Sequence, residues 1–429
     1  MARHTLKDNA RAVFAAALAA ADPTAAVDQA LRSRKDLDQY KRIFVVGAGK
    51  AGGTMARAAE NYLGARITSG CINVKEGDTS RTRYIELRRC GHPVPDERGF
   101  SGAKRIAELC IEAGEGDLVI CLFSGGASAL MPYPASSITL EEKQETTKLL
   151  LACGAAIQEI NTVRKHLSGI KGGQLARLAA PARVLSLILS DVVGDDPGVI
   201  ASGPTAPDHS TFEDAYAVLE KYEIVGRVPL RVRERLRNGA QETPKEGDPV
   251  FDEVENVIVG SNQKSLEAAA RTARQLRYHT LILSSSIEGE TRDVARMHAA
   301  IARQIRDYGQ PVTAPACIIS GGETTVTIRG EGKGGRNQEF ALAAAMDIAG
   351  MEDVLVMSVG TDGTDGPTDA AGAMVDGTSV SRGAMSAADA LEANDSNHFF
   401  EHSGDLVVTG STGTNVMDLH LVLVGEGFK

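Results

Sequence analysis

Three times in this chain a short, mostly apolar run breaks into a glycine turn. Arg42–Val46 runs into Gly47–Gly52, Asp117–Phe123 into Ser124–Gly126, and Cys317–Ile319 into Ser320–Gly322. Apolar runs this short, bounded by turn residues, read as strands buried on both faces. A glycine turn and helical periodicity after them complete the strand–turn–helix unit of an α/β sheet. Ligands of open α/β sheets bind at the C-terminal ends of the strands, where these glycine turns lie.

The rest of the pattern fits that class. Strands are predicted at 70–75, 84–89 and 183–190, and then at 255–259, 280–285, 315–319, 324–329, 354–359, 405–409 and 418–424. Helices are predicted at 5–21, 101–113, 211–223, 228–238, 262–276, 290–307 and 336–349, and at 140–152 behind a Thr139/Glu142 capping box. Residues 239–253, polar with two prolines and two glycines, read as a linker between domains. One internal echo crosses it: Cys121–Ser128 aligns with Cys317–Thr324.

The 429 residues suffice for two or three domains. A net charge of −10 argues against nucleic acid and anionic membranes as partners. An anionic substrate then needs cations gathered locally, and the glycine-rich segments hold them: Lys50; Arg164, Lys165 and Lys171; Arg329, Lys333 and Arg336. The six cysteines form no CxxC pair and most lie in apolar runs, as reduced thiols of a cytoplasmic protein do. The N-terminal residues imitate a signal peptide, but Asp8 and the run of alanines favour a first helix of a cytosolic protein.

Several motifs carry chemistry. Gly47-x-Gly49-x-x-Gly52 matches the dinucleotide fingerprint, and Glu76 stands near the place of its ribose-binding acid. This keeps an NAD(P)H-dependent reductase open, although Lys50 inside the loop is not needed there. A Walker A loop and protein-kinase signatures are missing. His398–His402 spells an inverzincin zinc motif in poor context, best read as a surface helix. Carboxylates at strand ends, Asp191, Asp195 and Asp196 in one half and Glu323, Asp362 and Asp365 in the other, stand with cationic glycine loops. That combination suits Mg²⁺-assisted phosphoryl transfer, where the ion takes one or two carboxylates plus phosphate oxygens. Thr409–Asn415 is a further polar loop suited to phosphate or sugar.

Taken in order, GAGKA (47–51), GHPVPDERG (91–99), FSGGASAL (123–130), NTVRKHLSGIKGG (161–173), SDVVGDDPGVIASGPT (190–205), ISGGETTV (319–326), GKGGRNQEFAL (332–342), GTDGTDGPTDAAGA (360–373) and TGSTGTNVMDL (409–419) resemble the glycerate 2-kinase family. The resemblance implies two α/β domains: an N-terminal Rossmann-like sheet with helices on both faces, expected over 1–245, and a C-terminal MOFRL domain over 254–429. It implies an active site in the cleft between them, and transfer of phosphate from ATP to the 2-hydroxyl of D-glycerate with Mg²⁺. Members also carry the label hydroxypyruvate reductase. By the resemblance Lys50 and Arg336 are the catalytic cations, one from each domain.

Asp191 and Glu323 are the candidates for metal ligation or for orienting the glycerate hydroxyl, in an order the residues leave open; Asp362 is a third candidate ligand. Arg164, Lys165 and Lys171, beside Gly172, would hold the glycerate carboxylate or nucleotide phosphates. The remaining expected site residues are Gly47, Gly49, Ser124, Gly125, Gly126 and Ser128 in the first half. In the second they are Gly321, Gly322, Thr324, Lys333, Asn337, Thr364, Asp365, Thr414 and Asn415. The expected partners are ATP and D-glycerate, without nucleic acid or membrane; a homodimer stays open.

Overall fold

A computed structural model describes residues 5–239 and 241–426. The chain divides into two compact units: Pro23–Val259, and the segment ending at Asp22 together with the residues from Gly260 onward.

In the first unit the strands are β1 (Ile43–Ala48), β2 (Ile67–Lys75), β3 (Ile85–Cys90), β4 (Leu118–Phe123), β5 (Arg183–Leu189) and β6 (Val254–Gly260). They form one sheet in the order β3-β2-β1-β4-β5-β6. β1 pairs in parallel with β2 and β4, as β2 does with β3 and β4 with β5. Every residue of β1 and β4 is buried, which is why both read as unbroken apolar runs. Phe44, Val46, Val119, Cys121 and Phe123 pack on Ile106 and Leu109 of the helix Glu97–Glu112. A separate helical cluster gathers Leu150, Ile160, Val163, Phe212, Leu219 and Leu236 from four helices between β4 and β6.

In the second unit the strands are β7 (His279–Ile287), β8 (Ala316–Gly322), β9 (Val354–Gly360), β10 (Gly372–Asp376), β11 (Leu406–Val407) and β12 (Asp418–Val424). Their order is β11-β10-β9-β12-β8-β7, with β12 antiparallel to both β8 and β9. Side chains alternate across this sheet. Cys317, Ile319, Leu355, Met357 and Leu421 face the helices Leu6–Ala20 and Asn262–Gln275. Ile318, Val356 and Val422 face Thr291–Tyr308 and Arg336–Asp347.

Four departures from the expected elements bear on the domain division and the site. The first helix, Leu6–Ala20, belongs to the second unit, because its stripe of Ala10, Val13, Phe14 and Ala17 packs against Leu266 and the second sheet. Residues 239–253 are not a loose linker. Thr243 is buried and donates to Asp208 Oδ2 at 3.0 Å, and Glu253 O accepts from Val184 N at 2.8 Å, so this segment lies on the first unit and leads into its β6. Residues 324–329 form no strand beyond a single bridge of Thr325 with Glu290. Their amides are taken by side chains instead: Glu290 accepts from Thr327, and Asn394 from Arg329. Ile328 is 80% exposed, so its branched side chain reflects no sheet interior. β10 is the strand that periodicity misses, since it opens with glycine and alanine and is short.

Phe14→Ala tests the place of the first helix. Removing this buried ring should lower stability by about 3–5 kcal/mol in urea unfolding. A loss below about 1 kcal/mol would show that the helix does not belong to this core.

Candidate functional site

In the first sheet the chain proceeds outward in opposite directions from β1 and β4, which makes their C-terminal ends a topological switch point. The register sets Gly47 beside Leu122 and Ala48 beside Phe123, so the two glycine turns emerge side by side. Gly47 and Gly49 both have φ of +151°. A Cβ on Gly47 would lie 2.0 Å from Leu122 O, and one on Gly49 2.0 Å from Ser124 Oγ. These glycines therefore let two protein turns touch.

The amides of the first turn are spent in that contact. Gly49 N donates to Asn73 O, Lys50 N to Gly125 O at 2.8 Å, Ala51 N to Ser124 Oγ at 3.0 Å, and Gly52 N back to Gly49 O. A dinucleotide pyrophosphate would need these donors. Glu76 is likewise engaged, by Arg98 with both contacts at 3.2 Å. What the turn presents outward is the Lys50 side chain, half-buried and without a hydrogen-bond or ion-pair partner among the described residues. His92 stands beside it: burial first, then the charges of Lys50 and Lys75, hold the imidazole below its ordinary pKa. Asp191 closes the second turn, its Oδ2 2.1 Å from where a Cβ of Gly125 would be.

The basic segment 161–173 splits by role. Its first part is the helix Ile157–His166. Lys165 is committed to the buried Asp208 at 3.1 Å, a structural pair. Lys171 is buried and donates to Ser128 O and Oγ, both at 2.7 Å. Ser128 Oγ also meets Ser202 Oγ at 2.9 Å, and Gly172 N donates to Ser202 O. Arg164, half-buried, has no partner among the described residues, and burial lowers its pKa.

In the second sheet β12 begins with Asp418, set between Gly322 at the end of β8 and Gly360 at the end of β9. Its side chain is fully buried. Arg336 grips it with Nε to Oδ2 at 2.5 Å and Nη2 to Oδ1 at 3.1 Å, and Asn337 Nδ2 adds a bond at 2.9 Å. Arg336 Nη1 meets Glu323 at 3.0 Å on the exposed side. Burial pushes the Asp418 carboxyl up, to about 6, against the pull of Arg336 and Asn337, so the pair is ionised at neutral pH. Burial opposes the Arg336 charge, yet Asp418, Glu323 and Asp365 together raise its pKa.

Asp365 caps the helix Arg336–Asp347, accepting from Asn337 N at 3.0 Å and Gln338 N at 2.8 Å. This carboxylate therefore occupies the helix N-terminus itself. Behind it, Ser358 Oγ donates to Asn337 Oδ1 at 2.7 Å and meets His420 Nδ1 at 2.9 Å, and Phe340 stacks on His420. Arg336, Thr324, Gly334, Asp362 and Thr364 line a cavity of about 590 Å³. Lys333 lies half-buried in the same loop, its amide on Asp395.

Several expected site residues also bond within the protein. Thr414 donates to Ala21 O at 2.7 Å, Asn415 accepts from Met417 N, and Asp362 binds the amide and hydroxyl of Thr364. Glu323, Asp362 and Asp191, the expected metal ligands, belong to no group of three metal-binding side chains among the described residues. Such a donor set fits an ion held mainly by phosphate oxygens and water rather than by a protein cage. His398 and His402 form no such group either; the helix Ser396–Ser403 is anchored by buried Phe399 and Phe400. Asp418 is the site residue that motif reading passed over. Its signal lay in the quoted TGSTGTNVMDL, taken only as a polar loop.

Breaking the buried pair is expected to cost much more than breaking the exposed one. Asp418→Ala should lose about 3–5 kcal/mol of stability. Glu323→Ala should lose less than about 1 kcal/mol, both measured by denaturant unfolding. Equal losses would refute this ranking.

Two family models match: a domain of unknown function, DUF4147, over residues 9–237, and the MOFRL family over 316–418. The D-glycerate 2-kinase of Thermotoga maritima is 42% identical, over 92% of this chain and 94% of its own. A putative hydroxypyruvate reductase of Agrobacterium vitis is 44% identical, over 97% and 94%. Among solved structures, the glycerate kinase of Thermotoga maritima superposes with a TM-score of 0.92 at 41% identity, covering 98% of this chain and 99% of that one. A Pyrococcus horikoshii protein gives 0.89 at 40% identity, covering 100% of each chain. With both family models matched in order and these relatives alike over nearly their whole length, this chain belongs to the glycerate 2-kinase family.

Proposed function

We propose that this chain transfers the γ-phosphoryl group of ATP to the 2-hydroxyl of D-glycerate, giving ADP and 2-phospho-D-glycerate. The observation that carries the reading is Arg336. Two of its nitrogens are fixed by a buried carboxylate, while the residue lines an open cavity. A guanidinium fixed this way offers charge to a phosphoryl oxygen without having to reorganise.

The glycerate hydroxyl oxygen forms the new bond to Pγ as the bond from Pγ to the β-bridging oxygen breaks, and ADP leaves. Arg336 and Lys50 are the cations proposed to offset phosphate charge in this reaction. Such roles suit a reaction in which positioning and electrostatics supply most of the catalysis. The hydroxyl proton passes to a carboxylate, Asp191 or Glu323. Glu323 must then exchange its Arg336 contact for substrate, which its exposed position permits. Mg²⁺ would enter on the ATP phosphates with Asp191 as a protein ligand, and its chemistry there is to neutralise the β- and γ-oxygens. The reductase reading has little support in the first glycine turn, whose amides are already paired. We place the enzyme in the cytoplasm, in keeping with its free cysteines, five of the six buried.

Purified protein with ATP, Mg²⁺ and D-glycerate should release ADP, and phosphorus NMR should identify the 2-phosphate rather than the 3-phosphate. NADH oxidation with hydroxypyruvate, without ADP release, would overturn the assignment. Lys50→Ala and Arg336→Ala should each lower kcat by about 10³–10⁵-fold, as loss of an arginine finger does. Near-parental turnover in either variant refutes its role.

The Asp418 carboxyl, raised by burial to about 6, predicts an acid limb. Below that pH the carboxyl takes a proton and Arg336 loses its anchor. kcat/KM should therefore fall as pH drops through about 6, and Asp418→Asn should abolish that limb. A limb unchanged in the variant would assign it to another group.

A further inference from the structure

The first unit holds a cavity of about 340 Å³, between the Pro93–Pro95 loop and the helix Leu140–Ala152. That volume is in the range of small-molecule sites, about 300–1,000 Å³. One wall is apolar, with Val94, Pro132, Leu140 and Leu151. The other carries Lys143, Arg164 and Lys171, with the exposed Lys148, and among the described residues no Asp or Glu lines the cavity. Lys143 is 7% exposed, and its Nζ has no hydrogen-bond partner among the described residues. Lys171 is 1% exposed and, among the described residues, bonded only to the neutral oxygens of Ser128. Basic groups buried together without a counter-charge are unfavourable as cations unless an anion joins them.

We propose that this cavity is the nucleotide pocket, with the base and sugar of ATP on the apolar wall and its α- and β-phosphates on Lys143, Arg164 and Lys171. The proposal rests on the kinase reading and adds where its nucleotide lies. Two observations choose a nucleotide over glycerate. A three-carbon hydroxy acid has no apolar face to cover Val94, Leu140 and Leu151, whereas a purine does. Gly126 also lines the cavity, and the Lys50 Cγ lies 3.2 Å from where its Cβ would be. Phosphates extending past Gly126 therefore reach Lys50, where the γ-phosphoryl group must be.

The protonation of Lys143 agrees. Burial, with the facing charges of Arg164 and Arg235, lowers its pKa to about 7, and burial with Lys143 and Arg164 lowers that of Lys171. An arriving polyphosphate supplies the negative charge that returns these amines to their cationic forms.

The test measures Mg·ADP binding to the full chain by calorimetry, beside steady-state kinetics. Lys143→Met removes the ammonium and keeps the stem. Leu151→Glu places a carboxylate at the rim, where Leu151 is 60% exposed, so this variant keeps the fold. Each should weaken ADP binding and raise KM for ATP at least tenfold, with KM for D-glycerate within twofold. AMP should displace ADP from the parent protein, and inorganic phosphate at equal concentration should not. ADP affinity within twofold of parent in Leu151→Glu, or a KM change that falls on D-glycerate, overturns the pocket. Should Lys143→Met fail to fold, Leu151→Glu alone decides. Parental turnover with unchanged variant affinities sinks the pocket only; a parent that releases no ADP from ATP and D-glycerate sinks the kinase reading instead.

Discussion

The second unit depends on one buried charge. Asp418 opens the central strand β12 with no exposure to solvent, and an isolated carboxylate there would be expensive. Arg336 and Asn337 satisfy it, and both lie in the first turn of the helix Arg336–Asp347. The requirement to pair Asp418 thus pins that helix start to the sheet edge where β8 and β9 end. Asp365 then takes the first-turn amides, and Ser358 ties Asn337 to His420 inside the sheet. A charge that costs free energy to bury is in this way converted into the placement of a guanidinium.

The first unit reaches a similar result by other means. Its constraint is steric: the turns after β1 and β4 press together closely enough that only glycine fits at Gly47 and Gly49. Their mutual hydrogen bonds hold the backbone still and consume the amides that a nucleotide fingerprint would use. Cationic side chains stand beside these turns instead. Lys50 projects from the paired turns, and Lys143, Arg164 and Lys171 gather in an apolar cavity next to them. Buried amines without carboxylate partners among the described residues cost free energy, which the polyphosphate proposed above would offset.

Much of the architecture was legible because burial leaves a local trace. β1, β4, β9 and β12 are buried at every residue and read as apolar runs of about the right length. Capping residues marked the helix Leu140–Ala152 to the residue. The misreadings had physical causes. Residues 324–329 are branched and β-prone, but their amides bond to Glu290 and Asn394, so no ladder forms. Residues 239–253 are polar because Thr243 and Lys245 bond within the fold, to Asp208 and Ser210, not because they span open solvent. The stripe on Leu6–Ala20 announced a buried face without naming the sheet it covers.

The amino-acid sequence by itself determined the α/β class, the glycine turns and the family. These follow from short-range signals: apolar runs, turn residues, and charges inside turns. Only the tertiary structure decided which polar groups are already committed. Lys165 belongs to Asp208, Thr414 to Ala21, Asp365 to a helix start, and Arg336 to Asp418. Those partners lie tens to hundreds of residues apart in the chain. Periodicity reports that a residue is buried, and only the packed fold reports which group pays for the burial.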